Sequence, residues 1–586
     1  MRWGDGGMNN RLKECFCLVL GMAVFLMTGL NMRTSTAQLA DKSKILVVVP
    51  HEDDDINMAG SVIATAVAKG KQVYVLFATN GDFTFKGATR IKEALAGLSL
   101  LGVKKKNVFF LGYGDNFNNS PQKHIFYSGD QALKAPSGHK ETYGTKDVPD
   151  FCFVRNGKHH SYTKKNYCTD LENAILDIGA GVIFAIDYDY HADHRMLALA
   201  FDQVMGSILR RPGNEYFPNV YKGFGYTTAF HAVKDFYNLN LLSTQKPAMG
   251  VTRLYFGKDD LIDNSIYAWK NRVRIPVEAE SRSRFLLPNR IFRALCLHES
   301  QAAGLDTESV LNGDQVFWRR RTDSFSYGAH VQASSGEETV KRVNDFKLFD
   351  AKDIDKDIPE FNSYLWIPDK KDKKKTLTFT WEKAHEISSV MLYGSITDEK
   401  NIKKLKLIFD DGSVVVTGPM PAKGVPLTVA FPTKKCKECK VQIMEAQGNS
   451  AGIAECEFYG PKEQQSILPP ILKIMVKDNF VYDYILPDTE NSVQLSLYRF
   501  KAPGPVRYEF LNGLGNVDSK QILHFAPDCD KIRLKVSLRE NPKIYDLVEF
   551  SRLSKKQIDF ITGLQKSEHR TLTLLLKLRQ KYFREK

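Results

Sequence analysis

The sequence predicts an α/β protein: a Rossmann-like, mostly parallel sheet with helices on both faces, followed by one or two β-sandwich domains. Three observations carry that expectation. From Lys44 onward, short β-rich apolar runs alternate with amphipathic helical stretches, the pattern of βα units around a parallel sheet. The first runs are continuously apolar, as in strands buried on both faces. After about Arg321 the texture changes to short runs separated by turn signals, the pattern of β-sandwiches.

Lys44 to Val49 is apolar from Ile45 to Pro50 and reads as the first buried strand. Met58 to Ala68 is Ala-rich and helical, Val73 to Ala78 is the second strand, and Thr79-Asn80-Gly81-Asp82 closes it. A helix follows from Arg90 to Leu101, then a strand from Asn107 to Leu111 and a later one from Val182 to Ile186. In such sheets ligands sit beyond the carboxyl ends of the strands. The polar clusters His51 to Asp55, Asn80 to Asp82 and Asp187 to His194 all fall there. Further on, Thr376 to Trp381, Val390 to Tyr393 and Lys404 to Phe409 read as short strands, the last turning at Asp410-Asp411-Gly412. Pro469-Pro470 marks a boundary, beyond which Ile474 to Ile485, Val493 to Arg499 and Lys531 to Leu538 read as strands. The expected division is 40–330 for the α/β domain, 335–462 for a first sandwich, and 468–586 for a β-rich region, immunoglobulin-like by default, with a basic helical tail. In that tail Leu572, Leu575, Leu576 and Phe583 are expected to cover the neighbouring domain rather than a membrane.

Cys15 to Met32 carries no charge, follows Arg2, Arg11 and Lys13, and precedes the small residues Ser35-Thr36-Ala37. Residues 1–37 therefore read as a secretory signal or a membrane anchor, and either sends the remaining chain out of the cytoplasm, secreted or held at the cell envelope. Seven cysteines lie beyond that segment, too sparse and odd in number for a disulfide framework. Cys152 and Cys168 flank a polar stretch and are positioned for one bridge. Cys436-Lys437-Glu438-Cys439 reads as a turn bearing two thiols or a small local disulfide, since no second Cys/His pair stands near to complete a zinc knuckle. With 26% charged and 43% hydrophobic residues, disorder over the whole length and a multi-spanning membrane protein are both excluded. The net charge of +14 makes a basic surface that attracts anions. In an exported chain it does not predict a nucleic-acid partner.

His51-Glu52-Asp53-Asp54-Asp55 places an imidazole and four carboxylates directly after a buried strand. So many acids together cost electrostatic energy unless a cation, hydrogen bonds or protons relieve it. His191-Ala192-Asp193-His194 follows another buried strand and adds two imidazoles. If the two strands are neighbours, three N/O ligands converge and a fourth position stays open for water, the arrangement of a catalytic zinc site.

Those two motifs, with Thr79-Asn80-Gly81-Asp82, Arg90 and Glu93, and Leu111-Gly112-Tyr113-Gly114-Asp115, stand in the order found in the PIG-L/LmbE-like zinc de-N-acetylases, which residues 44 to 321 resemble. The resemblance implies Zn2+ held by His51, Asp54 and His194, Asp53 as general base, and a protonated His191 that stabilises developing charge. It also implies Asp82, Arg90 and Asp115 near a sugar pocket, with Glu93 a possible structural partner of Arg90. His298-Glu299-Ser300-Gln301 resembles a late family segment to which no chemistry is assigned. Glu52, Asp55 and Ala192 replace the family's proline, glutamate and proline without removing a ligand or the base. The implied reaction removes the N-acetyl group of an N-acetylglucosamine-type sugar in a glycan, glycolipid or other glycoconjugate and releases acetate.

Phe379 to Gly460, ending in Gly448-Asn449-Ser450-Ala451-Gly452-Ile453-Ala454-Glu455-Cys456-Glu457-Phe458-Tyr459-Gly460, resembles discoidin-type galactose-binding-like sandwiches. That resemblance implies a module that binds a cell-surface polysaccharide or serves as a spacer. A reading of another class is a glycan-binding or adhesion protein that keeps the α/β domain as scaffold. The complete set of His51, Asp53, Asp54, His191 and His194 favours the enzyme.

Overall fold

The computed structural model describes residues 39–115, 125, 130–187, 191–225, 239–245, 267–305, 312–348, 364–395, 401–422, 424–448 and 451–584. The segment 1–37, read above as signal or anchor, lies outside them, as does the Phe583 side chain. In chain order the first domain contains β1 (Asp41–Val49), α1 (Asp54–Ala68), β2 (Gln72–Thr79), α2 (Gly87–Leu100), β3 (Val108–Tyr113), α3 (Phe151–Asn156), α4 (Lys164–Ile178) and β4 (Ala180–Ile186). It continues through α5 (Ala192–Leu209), β5 (Asn219–Gly223), β6 (Val273–Pro276), α6 (Arg290–Leu295) and β7 (Asp314–Arg320).

These strands form one seven-stranded sheet in the order β3-β2-β1-β4-β5-β7-β6. Its first five strands are parallel, and β7 and β6 are antiparallel at one edge. Ile45 to Val49 and every residue of β4 are buried, which explains their unbroken apolar runs. The chain steps outward from β1 to β2 and β3 on one side, then crosses back to β4 and β5 on the other. The reversal lies between β1 and β4, so their carboxyl ends open the crevice where ligands bind in sheets of this kind.

Downstream, β8 (His330–Ala333), β9 (Thr376–Tyr393), β10 (Ile402–Phe409), β11 (Val414–Val416), β12 (Leu427–Ala446) and β13 (Glu455–Tyr459) make a six-stranded antiparallel sheet consistent with a β-sandwich. The strands β9 and β12 are long, and register breaks at Ala430/Lys434 and Cys436/Glu438 let the ribbon bend around Trp366, Phe379, Trp381 and Phe458. The Asp-Gly turn forms as expected, with Gly412 at φ 79 closing β10 onto β11. A further β unit spans Ile471–Leu553 as three small sheets around Ile474, Leu534, Val536 and Phe550. The chain then enters the 30-residue helix α7 (Lys555–Arg584).

Three sequence expectations change. Cys152 and Cys168 form no bridge, because Cys152 sits in α3 and gives its S–H to Asp170 Oδ2 at 2.8 Å. Cys436 and Cys439 lie within β12 rather than on a turn; the bulge between them keeps both thiols buried and free. Leu572 and Leu576 of α7 do pack on the α/β core, but Leu575 is 55% exposed.

The units are joined by buried charge. Arg320 of β7 pairs with Glu457 of β13 at 2.9 Å and donates to the Tyr393 hydroxyl at 2.7 Å. Arg274 of β6 donates to Asp314 Oδ2 at 2.6 Å and to Asp478 Oδ1 of the last β unit at 3.0 Å. Gly206 on α5 lies so close to the Asp345 carbonyl that a Cβ there would stand 1.9 Å from its oxygen.

Asp345 and Glu455 meet at the same junction, where Glu455 accepts the N–H groups of Asp345 and Phe346 at 3.1 and 3.2 Å. Burial lifts the Asp345 carboxyl to about 6, and burial with the nearby Asp345 charge holds Glu455 well above its ordinary value. The folded protein therefore takes up a proton as pH falls through about 6, whereas the unfolded chain does so only near 4. This group lowers stability progressively as pH rises from about 4 through about 6. Asp345→Asn should flatten that slope and stabilise the protein at neutral pH by on the order of 2–3 kcal/mol at the upper limit, read as a higher Tm. Thermal melts of both proteins across that range check it; parallel profiles would show that Asp345 titrates normally.

Candidate metal centre

β1 runs into Pro50, and His51 to Asp53 turn the chain into α1, whose first two residues are Asp54 and Asp55. Asp53 occupies the N-cap position, but its carboxylate makes no capping bond and is held instead by Arg90 Nη2 at 3.1 Å. After β4, His191 caps α5, its Nδ1 taking the Asp193 N–H at 3.3 Å, and His194 follows within the first turn. Two helix N-termini thus face one crevice, and their dipoles favour the acids gathered there.

The three expected ligands come together. Asp54 Oδ2 lies 2.9 Å from His51 Nδ1 and 3.1 Å from His194 Nε2, and accepts the His51 backbone N–H at 3.1 Å. The His191 ring centre stands 4.7 Å from that of His51 and 4.8 Å from that of His194. On its other edge His51 Nε2 faces Asp193 Oδ2 at 3.5 Å and Asp115 Oδ1 at 3.6 Å. Ligand atoms of His51, His191 and His194 lie within 4.8 Å of one another, as do those of His51, Asp115 and Asp193. His51 Nε2, Asp54 Oδ1 and Asp115 Oδ1 are buried without a hydrogen-bond partner among the described residues. Orphaned imidazole nitrogen and carboxylate oxygen in a dry, acid-rich crevice fit a divalent cation, and this N/O set suits zinc.

The charges are strongly coupled. Burial would raise Asp54, yet His194 and His51 pull its carboxyl well below the usual range. Burial opposes charge on His51, but Asp115, Asp193 and Asp54 together hold its pKa well above normal. Burial and repulsion from Asp193 push Asp115 up to about 6. His191 behaves in the opposite way: burial, then His51 and His194, take it down to about 2. Burial and those two imidazoles therefore oppose the protonated His191 expected above. With Nδ1 accepting a backbone N–H, the neutral ring carries its proton on Nε2 and serves as a donor.

Arg90 and Asp82, expected near a sugar pocket, have their partners inside the protein. Arg90 is buried between Asp53 and Glu52, 3.5 Å from Glu52 Oε2, and also donates to the Gly81 carbonyl. Asp82 accepts the Asp115 N–H at 2.8 Å on one oxygen and the Tyr143 hydroxyl at 2.7 Å on the other. Both brace the loops that present Asp53 and Asp115. Glu93 accepts the N–H and hydroxyl of Ser300 at 2.8 and 2.7 Å, which fixes the His298–Gln301 segment against α2. His298 is fully buried, and burial and Arg90 lower it to about 3.

Asp193 and Gly225 were given no role in the sequence reading. Asp193 stood inside a motif already singled out, and its place on the first turn of α5 was the available signal. Gly225 borders the centre so closely that a Cβ would lie 3.2 Å from the His194 ring; nothing local to the sequence marks it. A second cluster, Cys152, His160 and Asp170, also has ligand atoms within reach of one another. There Asp170 takes the Tyr113 hydroxyl at 2.6 Å, the Cys152 thiol, and His160 Nδ1 at 3.0 Å, so the knot is satisfied by hydrogen bonds alone.

The fold and this crevice define an α/β domain with a His/Asp cluster at its topological switch point whose ligand atoms could hold a metal ion. Residues 46–205 match the family model of PIG-L, GlcNAc-PI de-N-acetylase, so the chain carries a PIG-L de-N-acetylase domain. Residues 325–459 match DUF7402, a domain of unknown function. A search of the curated proteins gave no match. Among solved structures, the chain is similar to N,N'-diacetylchitobiose deacetylase from Pyrococcus horikoshii, at 17% identity over 39% of this chain and 73% of that one, TM-score 0.21. It is similar to the A40926 pseudoaglycone deacetylase Dbv21 at 14% identity over 48% of this chain and 100% of that one, TM-score 0.27. It is similar too to the family 32 carbohydrate-binding module of C. perfringens NanJ, at 19% identity over 23% of this chain and 94% of that one, TM-score 0.17.

The purified chain should carry about one divalent ion, and Asp54→Ala or His194→Ala should lower its affinity by roughly 10–100-fold or more. Cys152→Ser should leave metal content unchanged. Elemental analysis of the three variants decides between the two clusters.

Proposed function

We propose that the chain hydrolyses the N-acetyl group of an N-acetylglucosamine-type sugar in a glycan or glycoconjugate, releasing acetate, with zinc held by His51, Asp54 and His194. The observation that carries this reading is the meeting of those three side chains at the ends of β1 and β4, inside a domain that matches the PIG-L family model. Zinc held there supplies Lewis-acid polarisation of the amide carbonyl and makes water more acidic.

The remaining work falls to side chains of the chain itself. Asp53 has the most exposed carboxylate of the His51–Asp55 run, at 15%, and Arg90 grips only its Oδ1. Its Oδ2 takes the proton of the water that adds to the acetyl carbon. The same carboxyl returns that proton to the sugar nitrogen as the C–N bond breaks, giving a free amine and acetate. Neutral His191 donates its Nε2–H to the oxygen on which negative charge develops, the preorganised-donor role. We further propose that residues 1–37 direct the protein out of the cytoplasm and that the 325–459 sandwich holds it on glycan.

Asp53→Asn keeps the size of the side chain and loses the proton acceptor. The variant should retain its metal and bind substrate, while acetate release from a panel of N-acetylglucosamine conjugates falls roughly 10²–10⁴-fold. Loss of metal together with activity would make Asp53 a ligand, and near-normal turnover with metal retained would exclude it as the base.

A further inference from the structure

Among the described residues, helix α7 is held to the α/β domain along one side. Glu568 accepts the N–H groups of Leu286 and Leu287 at 2.8 and 3.1 Å, Gln565 is 3% exposed, Leu572 and Leu576 pack on the core, and Arg579 pairs with Glu299. The outward side carries a row of large apolar side chains, with Ser567 and Thr571 among them. Phe560, Leu564, Leu574, Leu575 and Leu578 are 67%, 45%, 60%, 55% and 57% exposed. At about 100° per residue these five fall within an arc of about 100°, next to the packed side rather than on it. Lys566, Arg570, Lys577 and Lys581, all exposed, line one edge of that arc. The helix holds only two acids: Asp559, paired with Lys555, and Glu568, which faces the protein.

From this arrangement we infer that α7 docks the protein onto the surface of an anionic lipid bilayer, with its exposed apolar stripe at the headgroup–acyl boundary and its basic edge on lipid phosphate. An apolar stripe bordered by Lys and Arg on an otherwise polar helix is the chemistry of an interfacial helix, which lies in the membrane surface rather than crossing it. Among the described residues no helix is long and apolar enough to cross a membrane. Charge decides against a second copy as the occupant, since pairing two such stripes would bring like-charged edges together. An anionic surface matches both stripes at once. The inference is independent of the chemistry proposed for the metal centre.

The full chain should sediment with phosphatidylcholine vesicles containing phosphatidylglycerol at least about tenfold more strongly than with pure phosphatidylcholine, and less strongly as salt rises. Leu574→Ser/Leu575→Ser/Leu578→Ser should weaken binding to the mixed vesicles about tenfold or more. Lys566→Gln/Arg570→Gln/Lys577→Gln should abolish the preference for anionic lipid. All these side chains are exposed, so both variants should melt as the parent does. Contact is localised by replacing Leu575 with the photoreactive p-benzoylphenylalanine, which should yield a lipid adduct on irradiation with the mixed vesicles. A chain-to-chain crosslink, no lipid adduct, or unaltered vesicle binding by folded triple variants would each overturn the inference.

Discussion

The α/β domain is organised around the need to accommodate several carboxyl groups in a buried crevice, of which Asp54 above all is held ionised. Asp54 is fully buried, and Glu52, Asp55, Asp115 and Asp193 surround it with little or no exposure. Moving one such charge out of water costs several kcal/mol, so each must find positive charge or take a proton. The fold answers residue by residue. His51 and His194 flank Asp54, Arg90 serves Asp53 and Glu52, and the N-termini of α1 and α5 point their N–H groups inward. Glu52, with both oxygens buried, rises to about 8, chiefly through burial, which Arg90 and His51 offset in part. What these groups leave unneutralised is the negative field that a divalent cation enters.

The same constraint explains the close backbone packing at the strand ends. Gly81 sits at φ +55, where a Cβ would lie 2.5 Å from Glu52 Oε2 and 2.7 Å from Arg90 Cζ. Only a glycine lets the loop after β2 press the guanidinium onto the acids. One shell further out, Asp82 ties the β3 loop through the Asp115 N–H and anchors Tyr143. Asn80 reaches the Tyr143 carbonyl at 2.8 Å and closes the circuit. Loops after three strands are thus fixed to one another before any ligand arrives, which is the preorganisation that hydrolytic chemistry draws on.

Much of this was legible because buried parallel strands and their polar ends leave a strong local trace. The runs Lys44 to Val49, Val73 to Ala78 and Val182 to Ile186 each became a strand, and the acids and imidazoles after the first and last of them met. What escaped the sequence depended on distant partners. The hydrogen bonds by which Arg90 and Asp82 brace the loops around Asp53 and Asp115 depend on neighbours that no motif spells out. Cys152 and Cys168 looked placed for a bridge until Asp170, on the next helix, took the Cys152 thiol. Leu575 shares its composition with Leu572 and Leu576, yet helical phase turns it away from the core they enter. His191 needed its surroundings as well, since the charge of an imidazole depends on burial and nearby cations that no motif spells out.

The way the units are joined follows the same electrostatic logic as the metal centre. Arg320 is buried on β7, and its counter-charge, Glu457, comes from the sandwich. Arg274 is buried on β6 and needs Asp478 from the last β unit besides Asp314. Separating the units would leave the Arg320 guanidinium without Glu457, a cost of about 3–5 kcal/mol for a broken buried pair; Asp478 is largely exposed, and Arg274 would keep Asp314. Flexible tethering is therefore disfavoured, and the sandwich keeps a set position relative to the crevice. That position is transmitted along a single helix. Gly206, against which the Asp345 carbonyl packs, and His194, which lies against Asp54, both belong to α5. A bulkier side chain at Gly206 would push against the Asp345 backbone at the junction with the sandwich. The small residue at that site is thus set by the packing between units, on the same helix that carries His194.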